Sequence, residues 1–229
     1  MASNIKKAVL WGDSIGKGVI YDENRGRYVL SPFNAVSNIA EKLNVQIVNR
    51  CHMGMTTPQG LTMLERDCMK GVNAEVDTAV IEFGGNDCDF DWSAISAAPR
   101  EEHLPKTPFA QFTQNMRNMI AKVRSFGMEP ILVNLPPINA DRYFKFISGG
   151  ERSPENILEW LGTTHQIYRY QERYSLEVDR IAQENGCRLI NLRAAFLDLW
   201  RPDQYLCADG IHPNVKGQQL IATAALAQL

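Results

Sequence analysis

Three short stretches of this 229-residue chain hold side chains that could do chemistry. The first is Trp11-Gly12-Asp13-Ser14-Ile15-Gly16, directly after the apolar run Ala8-Val9-Leu10. Gly12 permits a sharp turn, and a hydroxyl at a strand-to-helix turn can be exposed above a sheet as a nucleophile. From this stretch alone, capping of the helix that follows is the favoured role of Ser14, and the two later stretches change that balance. The second stretch is Ile81-Glu82-Phe83-Gly84-Gly85-Asn86-Asp87. Its Gly pair allows close backbone approach, and Asn86 can aim an amide donor into a cleft or serve as an ordinary turn residue. The third is Cys207-Ala208-Asp209-Gly210-Ile211-His212-Pro213. Three positions apart, Asp209 and His212 can project the same way, so that Asp209 holds one imidazole nitrogen and leaves the other free as a base. A capped helix carrying an exposed histidine would show the same spacing.

These residues need a scaffold, and the chain supplies an alternating one. Apolar patterning predicts strands at Lys6–Trp11, Val45–Asn49, Val76–Phe83, Pro130–Leu135 and Cys187–Leu192. Helical periodicity occupies Ser31–Leu43, Leu61–Met69, Pro108–Phe126, Tyr170–Asn185 and Pro213–Leu229. Alternation of this kind predicts an α/β fold with parallel pairing and a site beyond the carboxyl ends of the strands. Ser14, Gly54, Asn86 and Pro136-Pro137 all follow predicted strand ends. Two segments, Asp87–Thr107 and Ile138–Arg169, are longer than ordinary connections. The second is rich in aromatics and reads as a satellite core, an oligomer contact, an apolar wall over a substrate, or more than one of these.

Composition narrows the setting. A 45% hydrophobic chain of this length suits one domain, taken as residues 1–229. A net charge of −2 gives no pull toward nucleic acid or an anionic membrane. No apolar run reaches membrane-spanning length, and the N-terminus lacks a signal-peptide core. Five cysteines with no C-x-x-C pair fit reduced thiols, so a cytoplasmic location is expected.

Rival motifs fail on spacing. Gly12–Gly18 has three residues where a phosphate loop needs four, and Gly18 stands where that loop needs a hydroxyl. Asp87–Trp92 begins like a calcium loop, but Trp92 and Ala98 occupy positions that need Gly and Glu. Cys51-His52 has no orienting acid, which makes Cys51 structural.

Taken together, the stretches resemble the SGNH/GDSL hydrolase family. Gly12-Asp13-Ser14-Ile15 stands for its first motif, Gly84-Gly85-Asn86-Asp87 for its third and Asp209-Gly210-Ile211-His212-Pro213 for its last. Gly54, within Asn49–Thr57, looks like its second oxyanion position, and Ile15 replaces the usual Leu. The resemblance implies a three-layer, flavodoxin-like α/β/α sandwich with a five-stranded parallel sheet. It also implies serine ester hydrolysis, with Ser14 as nucleophile, His212 as base and Asp209 as its orienting acid. The Ser14 and Gly54 N–H groups and the Asn86 side chain would hold the oxyanion. No cofactor and no metal is called for.

Asp13, Pro137, Tyr143 and Trp160 are the candidate substrate contacts. Arg142, Lys145, Arg152 and Arg169 could hold a carboxylate or phosphate. The expected partner is a small-molecule ester, an acetylated sugar slightly ahead of a lysophospholipid or thioester, with a homo-oligomer left open. An acyltransferase and a non-enzymatic binding module on the same fold are the alternatives.

Overall fold

The computed structural model describes residues 5–72 and 74–229. Met1–Asn4, part of the N-terminal stretch read as lacking a leader, lie outside the described residues. The chain runs β1 (Lys7–Gly12), α1 (Ser14–Lys17), β2 (Val19–Asp22), β3 (Arg27–Leu30), α2 (Ala35–Leu43), β4 (Gln46–Asn49) and α3 (Thr57–Met69). It continues through β5 (Thr78–Glu82), α4 (Trp92–Ala97), α5 (Phe109–Ser125), β6 (Glu129–Val133), α6 (Ala140–Ile147), α7 (Pro154–Leu161) and α8 (His165–Glu184). It ends with β7 (Arg188–Ile190), α9 (Leu192–Leu197) and α10 (Val215–Gln228).

Five strands form one parallel sheet in the order β4-β1-β5-β6-β7. Strands β1, β5 and β6 are almost wholly buried, as continuous apolar runs covered on both faces must be. One face carries α3, α5 and α8, around Phe83, Phe112, Met116, Ile120 and Tyr174. The other carries α2, α9 and α10, around Ile39, Ile131, Phe196 and Ile221. The layers are therefore helix, sheet, helix.

The order of the strands decides where a site can form. After β1 the chain crosses to β4 on one side of it and then to β5 on the other. Loops that leave β1 and β5 diverge, and a crevice opens between them. Register places Gly12 opposite Glu82, so the Ser14 and Asn86 loops leave the sheet side by side.

Several elements differ from the expectation. The antiparallel hairpin β2–β3 was not foreseen; its turn is held by Asp22 Oδ1, which accepts from the N–H groups of Asn24 and Arg25. Helix α3 starts at Thr57, ahead of its apolar periodicity, because Thr56 and Gln59 form a capping box. Helix α8 starts at His165, five residues before the expected Tyr170. Pro213 lies outside α10, whose N-cap is Asn214 with its side chain accepting from Gly217 N–H.

The segment Ile138–Arg169 is not irregular. It holds α6, α7 and the first turn of α8, and α4 lies inside Asp87–Thr107. These helices share a third apolar cluster away from the sheet, with Phe90, Trp92, Ile95, Tyr143, Ile157 and Ile167 at its centre.

Among the described residues, no helix is long and apolar enough to cross a membrane. All five cysteines are free thiols.

Candidate active site

Helix α1 opens immediately after β1, and Asp13 is its N-cap, with Oδ1 accepting from Ile15 N–H at 2.9 Å. The cap is therefore Asp13 and not Ser14, which frees the serine side chain. Ser14 sits at the first helical position, where a backbone N–H has no intrahelical acceptor.

His212 comes from the other end of the chain. The loop before α10 closes on itself through Cys207 N–H to His212 O at 2.8 Å. Gly210 has φ +78°, and a Cβ there would lie 2.5 Å from the Asn139 carbonyl at the start of α6. Only glycine meets both conditions, so the loop packs tightly onto α6 and fixes the histidine.

His212 Nε2 lies 2.9 Å from Ser14 Oγ, and His212 Nδ1 lies 2.6 Å from Asp209 Oδ2. This network assigns the proton to Nδ1, donating to the carboxylate, and leaves Nε2 to accept from the Ser14 hydroxyl. Asp209 is fully buried, and its Oδ1 accepts from the N–H groups of Ile211 and His212. These two bonds, made by buried groups, hold the imidazole at one angle. A hydroxyl, an imidazole and a carboxylate in this relay can pass a proton from serine to histidine.

The Asn86 amide reaches the same place from the end of β5. Its Nδ2 donates to Asp13 Oδ2 at 3.1 Å and to the Met55 carbonyl at 3.2 Å. Asp87 faces away and fastens the start of α3, with Oδ1 accepting from Thr57 N–H and Oγ–H. Burial pushes the Asp13 carboxyl up to about 6, although the Ile15 bond and the nearby His212 charge pull it down.

The cleft above Ser14 and His212 is walled by Phe90, Trp92, Ile138, Tyr143, Ile167 and Tyr170. Its polar groups are already committed. Asp89 Oδ1 accepts from Trp92 Nε1–H and Tyr143 O–H at 2.8 Å each, and Oδ2 pairs with Lys106 Nζ at 2.7 Å. The Gln171 amide donates to the Pro136 carbonyl and accepts from Arg193.

Of the expected site residues, the cleft brings together Asp13, Ser14, Asn86, Tyr143 and His212, with Asp209 directly behind. Three expected positions lie outside its lining. Gly54 is exposed on the turn after β4, in a separate depression with His52, Met53 and Pro58; the Met55 carbonyl is the group from this turn that reaches Asn86. Pro137 is buried between Pro136 and Ile138, which do line the cleft. Trp160 packs edge-on behind Phe90 at 4.9 Å and stacks on the outer side of Tyr170 at 6.4 Å, supporting the wall without forming it.

The basic residues of this segment also stay outside. Arg142 donates to the Asp203 and Leu206 carbonyls, Arg152 to the Gly149 carbonyl, and Lys145 and Arg169 are exposed.

One residue at the site went unread. Tyr28, on β3, packs against the His212 ring with centroids 4.9 Å apart, and its hydroxyl neighbours Asp209. The signal for it was the pair of β-prone runs Val19-Ile20-Tyr21 and Arg27–Leu30 around the polar turn Asp22–Gly26.

Comparison with known proteins decides the family. The GDSL-like Lipase/Acylhydrolase family model matches residues 10–220. The chain belongs to this family of ester-bond hydrolases. An isoamyl acetate-hydrolyzing esterase of Saccharomyces cerevisiae is 25% identical over 223 residues, covering 94% of this chain and 82% of the yeast protein. A lipase/acylhydrolase structure from Enterococcus faecalis superposes with a TM-score of 0.65 at 24% identity, covering 97% and 94% of the two chains. An acetylxylan esterase from Geobacillus stearothermophilus, solved as a catalytic mutant, gives a TM-score of 0.63 at 20% identity, covering 100% and 95%.

Proposed function

We propose that this GDSL-family hydrolase cleaves short-chain esters that are neutral on both sides of the ester bond, with Ser14 as nucleophile. The observation that carries the reading is the relay from Ser14 Oγ through His212 to Asp209, set at the floor of an apolar cleft. Ser14 Oγ attacks the acyl carbonyl while His212 Nε2 takes its proton. Asp209 stabilises the imidazolium that forms. His212 then gives the proton to the leaving alcohol, and the acyl group remains on Ser14. Water, deprotonated by the same nitrogen, releases the acid and restores the hydroxyl.

The developing oxyanion is held by the Ser14 N–H and by Asn86 Nδ2, which exchanges its Met55 contact for the substrate oxygen. These donors act where negative charge appears in the transition state.

The wall argues for substrate type. It offers apolar surface, committed polar groups and, among the described residues, no lysine or arginine, so a phosphate-bearing lysophospholipid or thioester would lose its hydration without a partner. This supports a small apolar acetate of the kind named for the yeast relative over an acetylated sugar of the kind named for the Geobacillus enzyme. The test is a substrate panel on the purified protein: isoamyl acetate, acetylated xylooligosaccharide, a lysophospholipid and an acyl-chain series of phenyl esters. Higher kcat/KM on isoamyl acetate than on the charged and sugar esters is expected. Preference for the lysophospholipid would overturn the reading. An alcohol acceptor added to the same assay separates hydrolysis from acyl transfer.

A further inference from the structure

The turn that carries Ser14 is gripped from below by a residue that the relay does not use. We infer that Glu82 is the positioning residue of this turn: one carboxyl oxygen holds the backbone N–H groups of Asp13 and Gly16, and the group does so as a neutral acid beside the Asp13 carboxyl. The inference rests on the proposed role of Ser14.

Glu82 ends β5 directly opposite Gly12 in β1. Its Oε2 accepts from Asp13 N–H at 3.1 Å and from Gly16 N–H at 3.2 Å, so one oxygen spans both ends of the Ser14 turn. The fit is close. A Cβ on Gly12 would lie 2.5 Å from that oxygen, and one on Gly16 would lie 2.7 Å from Cys51 Sγ and 3.0 Å from the oxygen. The glycines on either side of Asp13-Ser14-Ile15 are therefore the room Glu82 and Cys51 require.

The protonation state follows from the surroundings. Glu82 is 3% exposed, and its Oε1 has no hydrogen-bond partner among the described residues. The groups facing it are the Asp13 carboxyl and the turn N–H groups from the β1–α1 corner, and the Cys51 thiol from the end of β4. The cations of this region act elsewhere, Lys17 on Cys51 and His212 on Asp13. An ionised carboxylate so enclosed, beside another, would be very costly, and burial with Asp13 raises Glu82 well above the usual carboxylate range. A neutral Glu82 keeps both acceptor bonds of Oε2 and adds no second buried charge beside Asp13. Asp13 in turn accepts from Asn86 Nδ2. One buried acid thus orders both the nucleophile turn and the oxyanion amide.

The test compares Glu82→Gln with Glu82→Ala. Gln keeps an acceptor oxygen for the two N–H groups and offers an N–H where the acid has its proton. Glu82→Ala should lower kcat and the phosphonate labelling rate of Ser14 by roughly 10²-fold with KM little changed, the loss typical of a misplaced reacting group. Glu82→Gln should restore both to within about threefold of wild type, since positioning and not charge is what is lost. A Gln variant as slow as the Ala variant would overturn the inference, because it would mean that the ionised form is needed.

Infrared difference spectra decide independently of folding in the Ala variant and of any turnover. Wild type minus Glu82→Gln at neutral pH should show the carbonyl stretch of an un-ionised carboxylic acid. Absence of that band would overturn the neutral acid. A wild type whose Ser14 resists the phosphonate would instead overturn the function reading, with the band still deciding Glu82.

Discussion

The floor and the wall of the cleft are built on different principles. The floor comprises Ser14, Asn86, Asp209 and His212. Each is held by backbone or short side-chain bonds at the end of a strand or in a closed loop. The wall comprises Phe90, Trp92, Ile138, Tyr143, Ile167 and Tyr170, carried by α4, α6 and α8 and their connections and packed into a cluster of their own away from the sheet. Directional bonds at the sheet ends and in the closed loop fix the floor in distance and angle. Apolar packing fixes the wall only in volume and shape, which tolerates exchange of side chains. On the proposed reading, chemistry belongs to the floor and substrate choice to the wall, and substitutions in the two regions should fail in different ways.

The largest effects should come from the floor. His212→Ala removes the proposed base, and kcat should fall by roughly 10⁴–10⁶ with the protein still folded, as for other members of a serine relay. Asp209→Asn should cost less, roughly 10³–10⁴, by losing the tautomer that presents Nε2. Asn86→Ala should lower kcat by roughly 10²–10³ as one proposed oxyanion donor goes. Steady-state kinetics with circular dichroism of each variant check all three, and an Asn86→Ala enzyme of normal kcat would make Asn86 a turn residue only.

The wall should respond in specificity. Ile167→Ala opens space beside Tyr170, and the preferred chain in an ester series should lengthen, with kcat/KM ratios between neighbours changing by roughly tenfold. Phosphonate labelling of Ser14 in the same variant should be unchanged. A parallel loss of labelling would mean that the wall also positions the reacting groups, and the division between the regions would fall.

Proton uptake at Asp13 sharpens the comparison further. Its carboxyl takes up its proton at about 6 in the folded protein, against ~3.9 for a free aspartate. Below that range Asp13 no longer offers a charged acceptor to Asn86, so kcat/KM should fall with acid. Stability moves the other way. In the interval up to about 6 the folded state holds a proton that the unfolded chain has released. This contribution favours folding in acid and is withdrawn as pH rises through about 6. Thermal melts should show Asp13→Asn gaining on wild type as pH rises from about 4 to about 7. A constant difference would place the Asp13 titration elsewhere.

The smallest effect expected is at Tyr28. Its ring packs against the imidazole from the hairpin, with centroids 4.9 Å apart, and limits how far that ring can tilt. Tyr28→Leu should lower kcat about threefold, and Tyr28→Phe, which keeps the ring, should lie closer to wild type.

Legibility in the sequence follows the same division. Floor residues stand in contiguous motifs because a strand end, a turn and a cap must be adjacent in the chain. Ser14, Asn86, Asp209 and His212 could therefore be named before their distances were known. The five strands of the sheet were equally readable from their apolar runs. The wall was not, since its packing joins α4, α6 and α8 across some eighty residues with no local pattern to mark which aromatic faces inward. Tyr143 reaches the cleft while Trp160, in the same segment, stands behind Phe90 and Tyr170. Pro137 differs from Pro136 only by one step of the chain, which turns it away. The hairpin β2–β3 was missed because two four-residue strands around a polar turn carry little apolar signal.

The most direct test of the account is labelling by a serine-directed ethyl phosphonate, followed by peptide mapping and a parallel esterase assay. One phosphonyl group on Ser14, with activity lost in step with labelling and no labelling of His212→Ala on the same timescale, is the result expected. Label on any other residue, or full esterase activity in protein whose Ser14 is completely modified, would contradict it.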